Sequence, residues 1–153
     1  MLRSMVLICF LALGTHRLDA QYPVDSAAHL RPVLGLRVGP PLRAAFNLGL
    51  ARARSVGPHG DYKGNAIIVE LGSGGGQLSL ARVAGSAFGA GRIQLSVLRT
   101  WKDPQWVAPQ QTYVGLEARM MIGVGVGLGL FARVAGTTRG DGYLAVVNLV
   151  AGI

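Results

Sequence analysis

Between residues 122 and 134, large apolar side chains fall on every second position: Ile122, Val124, Val126, Leu128 and Leu130. Glycine fills the places between them at Gly123, Gly125, Gly127 and Gly129. Successive side chains of an extended chain point to opposite sides, so this alternation predicts a β-strand with two unlike faces. One face is broad and apolar. The other is nearly bare and carries an arginine, Arg133, towards its end.

The same alternation recurs along the chain and predicts strands at about 33–39, 43–53, 65–72, 76–85, 91–101, 112–121, 123–135 and 143–153. Turn signals separate them: Gly39-Pro40-Pro41, the stretch 57–60, the glycine run 73–76, residues 86–91, Asp103-Pro104 and Gly140-Asp141-Gly142. Strands six and seven part at a very tight turn near 121–123, or they run on as one long bent strand. Regular short strands with turns between them predict an all-β domain, an up-and-down antiparallel barrel of about eight strands.

The faces sort consistently. Leu34, Leu36 and Val38 oppose Gly35 and Arg37; Phe46, Leu48 and Leu50 oppose Ala45, Asn47 and Gly49. Ile67, Val69 and Leu71 oppose Ala66, Ile68 and Glu70, while Leu78 and Leu80 oppose Gln77, Ser79 and Ala81. Ile93, Leu95 and Val97 oppose Arg92, Gln94 and Ser96; Val114, Leu116, Ala118 and Met120 oppose Tyr113, Gly115, Glu117 and Arg119. Arg82 alone interrupts the apolar face of strand four. A soluble barrel turns Lys and Glu towards water. This chain has two lysines, Lys63 and Lys102, and both fall in predicted loops. The polar face of Gly, Ala, Ser, Asn and Gln with a few Arg and two Glu instead suits a narrow interior, with the apolar face towards lipid. Small changes on the interior face, such as Gly115→Ala, should then need only local repacking.

The start of the chain changes the picture in the same direction. Arg3 followed by an apolar run over 5–14 reads as a secretion signal, too short to span a bilayer as a helix. Cleavage after Ala20, with Gly14 as the other candidate position, divides the chain into a signal peptide over 1–20, a leader arm over 21–31 and a barrel domain over 32–153. Cys9 is the only cysteine, so no disulfide and no Cys-ligated metal belongs to the mature chain. The formal charge of +8 becomes +7 once Arg3, Arg17 and Asp19 leave with the signal. In an exported chain that basic balance favours phosphate-bearing lipid over nucleic acid.

Candidate chemistry is sparse. Ser55, His59 and Asp61 have the residue types of a hydrolase triad but share one loop, whereas triads are usually delivered from different elements. The glycines around Gly74 lack the Lys-Ser/Thr and the helix of a phosphate loop. His29 and His59 are too few for a metal site. Arg139-Gly140-Asp141 spells an adhesion tripeptide that is already a good turn. The reading therefore assigns no catalytic residue, no cofactor and no metal. Glu70 and Glu117 are the only acids on predicted strands, and buried charges need partners. They are expected to form an interior charge network with Arg37, Arg92, Arg119 and Arg133.

The strand Tyr113-Val114-Gly115-Leu116-Glu117-Ala118-Arg119, the glycine-alternating strand after it and the last strand from Tyr143 to Ile153 resemble the small eight-stranded outer-membrane barrels of bacteria. The resemblance spans residues 32–153. It implies an outer-membrane location, membrane lipid as partner, a monomer, a structural or surface-interaction role and a last strand that serves insertion, though Ile153 stands where the family usually has an aromatic. It also implies loops 102–111 and 137–142 outside and the turn at 121–123 in the periplasm. Trp101, Trp106, Tyr113, Phe131 and Tyr143 would form the interfacial aromatic belts. Two other readings are a secreted lipocalin-like barrel with the apolar face around a hydrophobic ligand, and a membrane-embedded lipid-modifying enzyme.

Overall fold

A computed structural model describes residues 27–56, 60–136 and 142–152. The sequence segments read as the signal and most of the leader arm lie outside these residues. So do His59 and the Arg139-Gly140-Asp141 tripeptide. The described chain forms eight strands: β1 (His29–Gly39), β2 (Arg43–Ser55), β3 (Tyr62–Gly72), β4 (Gly75–Gly85), β5 (Ala90–Thr100), β6 (Thr112–Ile122), β7 (Val124–Ala135) and β8 (Tyr143–Gly152). Each pairs antiparallel with its sequence neighbour, and β8 returns to β1, closing an up-and-down barrel. Closure removes the sheet edges that would otherwise leave backbone groups unpaired.

Two strand starts differ most from the sequence reading. β1 starts at His29, inside the segment read as a leader arm, because residues 29–32 pair with β2 from Ala53 to Leu50. β3 starts at Tyr62, so Lys63 is a strand residue and not a loop residue; it points outward at the strand's end, opposite Arg54. The tight turn between β6 and β7 is a single residue. Ile122 pairs with Val124, and Gly123 takes a φ of 75° that a side chain would resist.

The register fixes the stagger. From His29 the pairing passes through Ala53, Gly64, Val83, Arg92, Arg119, Gly127 and Asn148, then re-enters β1 next to Val38, at Gly39. One circuit thus climbs ten residues, 39 against 29. For eight strands that stagger tilts them by about 40° and leaves an interior just wide enough for side chains. The lower end carries the start of β1, the close of β8 and the β2–β3, β4–β5 and β6–β7 connections; the upper end carries the other four.

The two faces part cleanly. Leu34, Leu36, Phe46, Leu48, Ile67, Leu80, Leu95, Leu116, Leu128 and Leu149 face outward and are exposed. The interior is filled in three layers. Near the lower end Ala51, Ala66, Ile68, Ala81 and Val83 form a small apolar layer with Val33 and Tyr62. The middle is polar. At the upper end Leu42, Ala45, Leu98, Tyr113, Phe131, Leu144 and Val146 close the barrel, joined by Val107 from the β5–β6 loop. That loop is fastened down: Thr100 Oγ1 donates to Ala108 O at 3.0 Å and accepts from Gln111 N at 2.9 Å, and Gln105 N donates to Pro41 O at 3.1 Å.

This corrects the aromatic belts. Tyr113 and Phe131 are 2% and 3% exposed and belong to the interior plug. Their alternation parity places them on the face of Gly115 and Gly129, which is the inner one. Trp101, Trp106 and Tyr143 are exposed at the upper end.

Candidate functional site

The middle layer brings five of the six expected charges together. Glu70 on β3 receives Arg37 Nη1 at 3.1 Å, Arg119 Nη2 at 2.7 Å and Arg92 Nη2 at 3.3 Å. Glu117 on β6 receives Arg119 Nε at 2.7 Å and lies 3.6 Å from Arg37 Nη1. Arg37 and Arg119 therefore bridge both carboxylates. Both acids are essentially inaccessible to solvent, 0% and 1% exposed. The stagger makes the meeting possible. Residues on four different strands reach one height only because each strand is displaced along its neighbour.

Neutral side chains complete the coordination. Gln77 Nε2 donates to Glu117 Oε2 at 2.9 Å, Gln94 Nε2 to the same oxygen at 3.1 Å, and Asn148 Nδ2 to Glu117 Oε1 at 2.9 Å. Gln77 Oε1 accepts from Arg37 Nη1 at 2.9 Å, and Ser79 and Ser96 share a hydrogen bond of 2.8 Å beside it. Sequence reasoning put Gln77, Ser79, Gln94 and Ser96 on the right face but gave them no role. Their signal was shared parity with Glu70 and Glu117 across adjacent strands. Asn148 went unassigned.

Arg133 is not brought into this network. It lies opposite Tyr113, whereas Gly129 is the β7 residue opposite Glu117. Four residues of strand are about 13 Å, and the ring of Phe131 stands between. The neighbouring bulge, which leaves Val134 without a partner between Arg133 and Ala135, marks where β7 departs from regular pairing.

The bare face of β7 now has a physical reason. A Cβ on Gly129 would stand 2.8 Å from both Phe131 Cε2 and Val146 Cγ2 and 3.3 Å from Glu117 Cγ. One on Gly115 would crowd the backbone oxygen of Leu130 and stand 2.7 Å from Phe131 Cδ1. The glycines make the room that the plug and the acids occupy. Gly115→Ala is therefore not the mild change that the sequence reading expected.

The arrangement leaves little for acid–base chemistry, since the carboxylate oxygens are engaged by guanidinium and amide donors. It holds three arginines against two glutamates, a surplus of one positive charge. The Nε groups of Arg37 and Arg92 and the Nη1 of Arg119 are buried without an acceptor. Ser55 and Asp61 flank the β2–β3 connection, away from the charge layer, and Gly74 lies in the β3–β4 hairpin turn. His29 pairs with Ala53 at the lower end. Among the described residues no three His, Cys, Asp or Glu side chains gather.

On the outer wall, Arg52, Arg54, Lys63 and Arg82 form a basic patch below the apolar belt. Arg52 pairs with Asn65, Asn65 with Arg82, and Arg54 with Lys63, so they occupy adjoining places on β2, β3 and β4. Arg82 thus joins the basic patch at the lower rim of the belt. Comparison of the chain with protein families, with curated proteins and with solved structures found no match.

Proposed function

We propose that this chain is a small bacterial outer-membrane barrel whose interior is plugged, with a structural or surface-interaction role, acting as a monomer with membrane lipid as its partner. The observation that carries the proposal is the inversion of the usual order: a continuous apolar wall outside all eight strands and a charged, hydrogen-bonded layer within. Water outside such a wall would be a large unfavourable term, whereas hydrocarbon outside it is neutral. The lengths agree. Strands of 11 residues, as in β3 to β6, tilted by about 40°, rise about 27 Å, against about 25 Å for the apolar band of such barrels.

The rims support the same reading. Trp101 and Tyr143 stand outward at the upper end, where amphipathic rings favour a headgroup layer, and the Arg52–Arg82 patch at the lower end suits lipid phosphates. A lipocalin-like pocket would need the apolar face turned inward, and the residues on that face point outward. The plug argues against a general solute channel.

The test is fractionation of cells producing the chain, followed by electrophoresis with and without boiling. The protein should enter the outer-membrane fraction and run at a different apparent size unboiled. A folded protein that remains in aqueous solution without detergent would overturn the proposal.

A further inference from the structure

Below the charge layer the barrel is not full. The alanines at Ala51 and Ala53 leave a cavity of about 100 Å³ that opens at the lower end. Its lining includes three arginines, Arg31, Arg92 and Arg119, and no carboxylate. Arg31 stands at the mouth with its guanidinium 5.7 Å from the centre of the Tyr62 ring. Arg92 and Arg119 stand at the inner end, where both are held on Glu70.

Two facts make this more than a gap in packing. Three guanidinium side chains line the cavity and no carboxylate does, so an anion entering it meets net positive charge. The charge layer itself carries one positive charge more than negative. An incoming monoanion would balance it.

The geometry points to a binding site for a small organic carboxylate, its head on Arg92 and Arg119 and a short apolar tail against Val33, Ala51, Ala53 and Val83. The volume is that of about three waters, which a carboxylate with two or three further carbons fills. The planar fork of guanidinium matches a carboxylate, and the apolar walls distinguish such a ligand from inorganic phosphate or chloride. This goes beyond the proposed membrane role and does not depend on it, since the cavity lies inside the barrel whatever surrounds the outer wall.

The experiment titrates sodium butyrate into the full barrel, in whatever medium keeps it folded, and follows the thermal unfolding midpoint at constant ionic strength. Sodium chloride and sodium phosphate are the companion probes. Butyrate should raise the midpoint saturably and chloride should not. Ala53→Leu, which fills the cavity and leaves every charge in place, should abolish the butyrate effect. Arg92→Gln should weaken apparent affinity by about tenfold, as loss of a charge-assisted contact does. Should one variant fail to fold, the other decides. Absence of a saturable shift, or a shift unchanged in Ala53→Leu, would overturn the site. Phosphate acting as strongly as butyrate would overturn the carboxylate assignment.

Discussion

Replacing Glu117 by glutamine removes one negative charge from the middle of the barrel and keeps the side chain's shape. The native carboxylate accepts four hydrogen bonds, two on each oxygen: from Arg119 and Asn148 on Oε1, and from Gln77 and Gln94 on Oε2. Glutamine offers one acceptor oxygen. Whichever way its amide turns, two donors lose their acceptor and meet an NH2 group instead. The three arginines then face one glutamate, so the surplus positive charge rises from one to two. Each orphaned buried donor costs about 1–3 kcal/mol, and breaking a buried ion pair from one side costs about 3–5 kcal/mol. These estimates overlap, and about 3–5 kcal/mol is the working figure, a large share of a net stability of about 5–15 kcal/mol. The assay is urea unfolding of the barrel in detergent or lipid, followed by a gel shift between folded and unfolded forms. Arg43→Ala is the control: its ion pair with Asp103 is exposed on both sides and should contribute under about 1 kcal/mol. The double variant Glu117→Gln with Arg119→Gln returns the surplus to the parent's single positive charge and should be less destabilised than the sum of its singles. A Glu117→Gln protein within about 0.5 kcal/mol of the parent would refute the reasoning, because a dry layer that already carries a surplus positive charge cannot lose an acid so cheaply.

Leu95 and Leu116 face each other across β5 and β6 on the outer wall; an arginine at either should cost about 2–4 kcal/mol in a bilayer and almost nothing in water, so refolding yields into vesicles and in buffer separate the two environments. Gly115→Ala should lower the unfolding midpoint by an amount corresponding to about 1–3 kcal/mol, since its Cβ meets strand backbone and the ring of Phe131; an unchanged midpoint would mean that β7 yields more readily than a packed plug allows. In a planar bilayer the parent protein should pass almost no steady current. A large, steady, anion-selective conductance would mean that the layers of Tyr113, Phe131 and the charge network do not close the interior. Cysteine at Gln105, on the upper end, should react with an impermeant thiol reagent on whole cells, and cysteine at Ala87, on the lower end, should not. The opposite labelling pattern would invert the orientation.

Much of the architecture follows from period and composition alone. Alternation over residues as separate as Leu34–Val38 and Leu128–Leu130 defines two faces without reference to any partner, because the period belongs to extended backbone itself. The scarcity of lysine on those faces, and the small polar residues opposite the leucines, were enough to say which face turns inward. Glycine turns and single-residue spacing set the hairpins, including the one at Gly123. Local pattern does not carry the stagger between strands. That stagger decided that Glu70 meets arginines from β1, β5 and β6, that Gln77, Gln94 and Asn148 share Glu117, and that Arg133 falls about 13 Å too far along β7 to join them. It also decided that Tyr113 and Phe131, aromatic residues that composition alone places at a membrane interface, fill the interior. Side-chain identity and parity are properties of each strand. Height within a closed barrel is a property of all eight together, fixed only when β8 returns to β1 ten residues out of step.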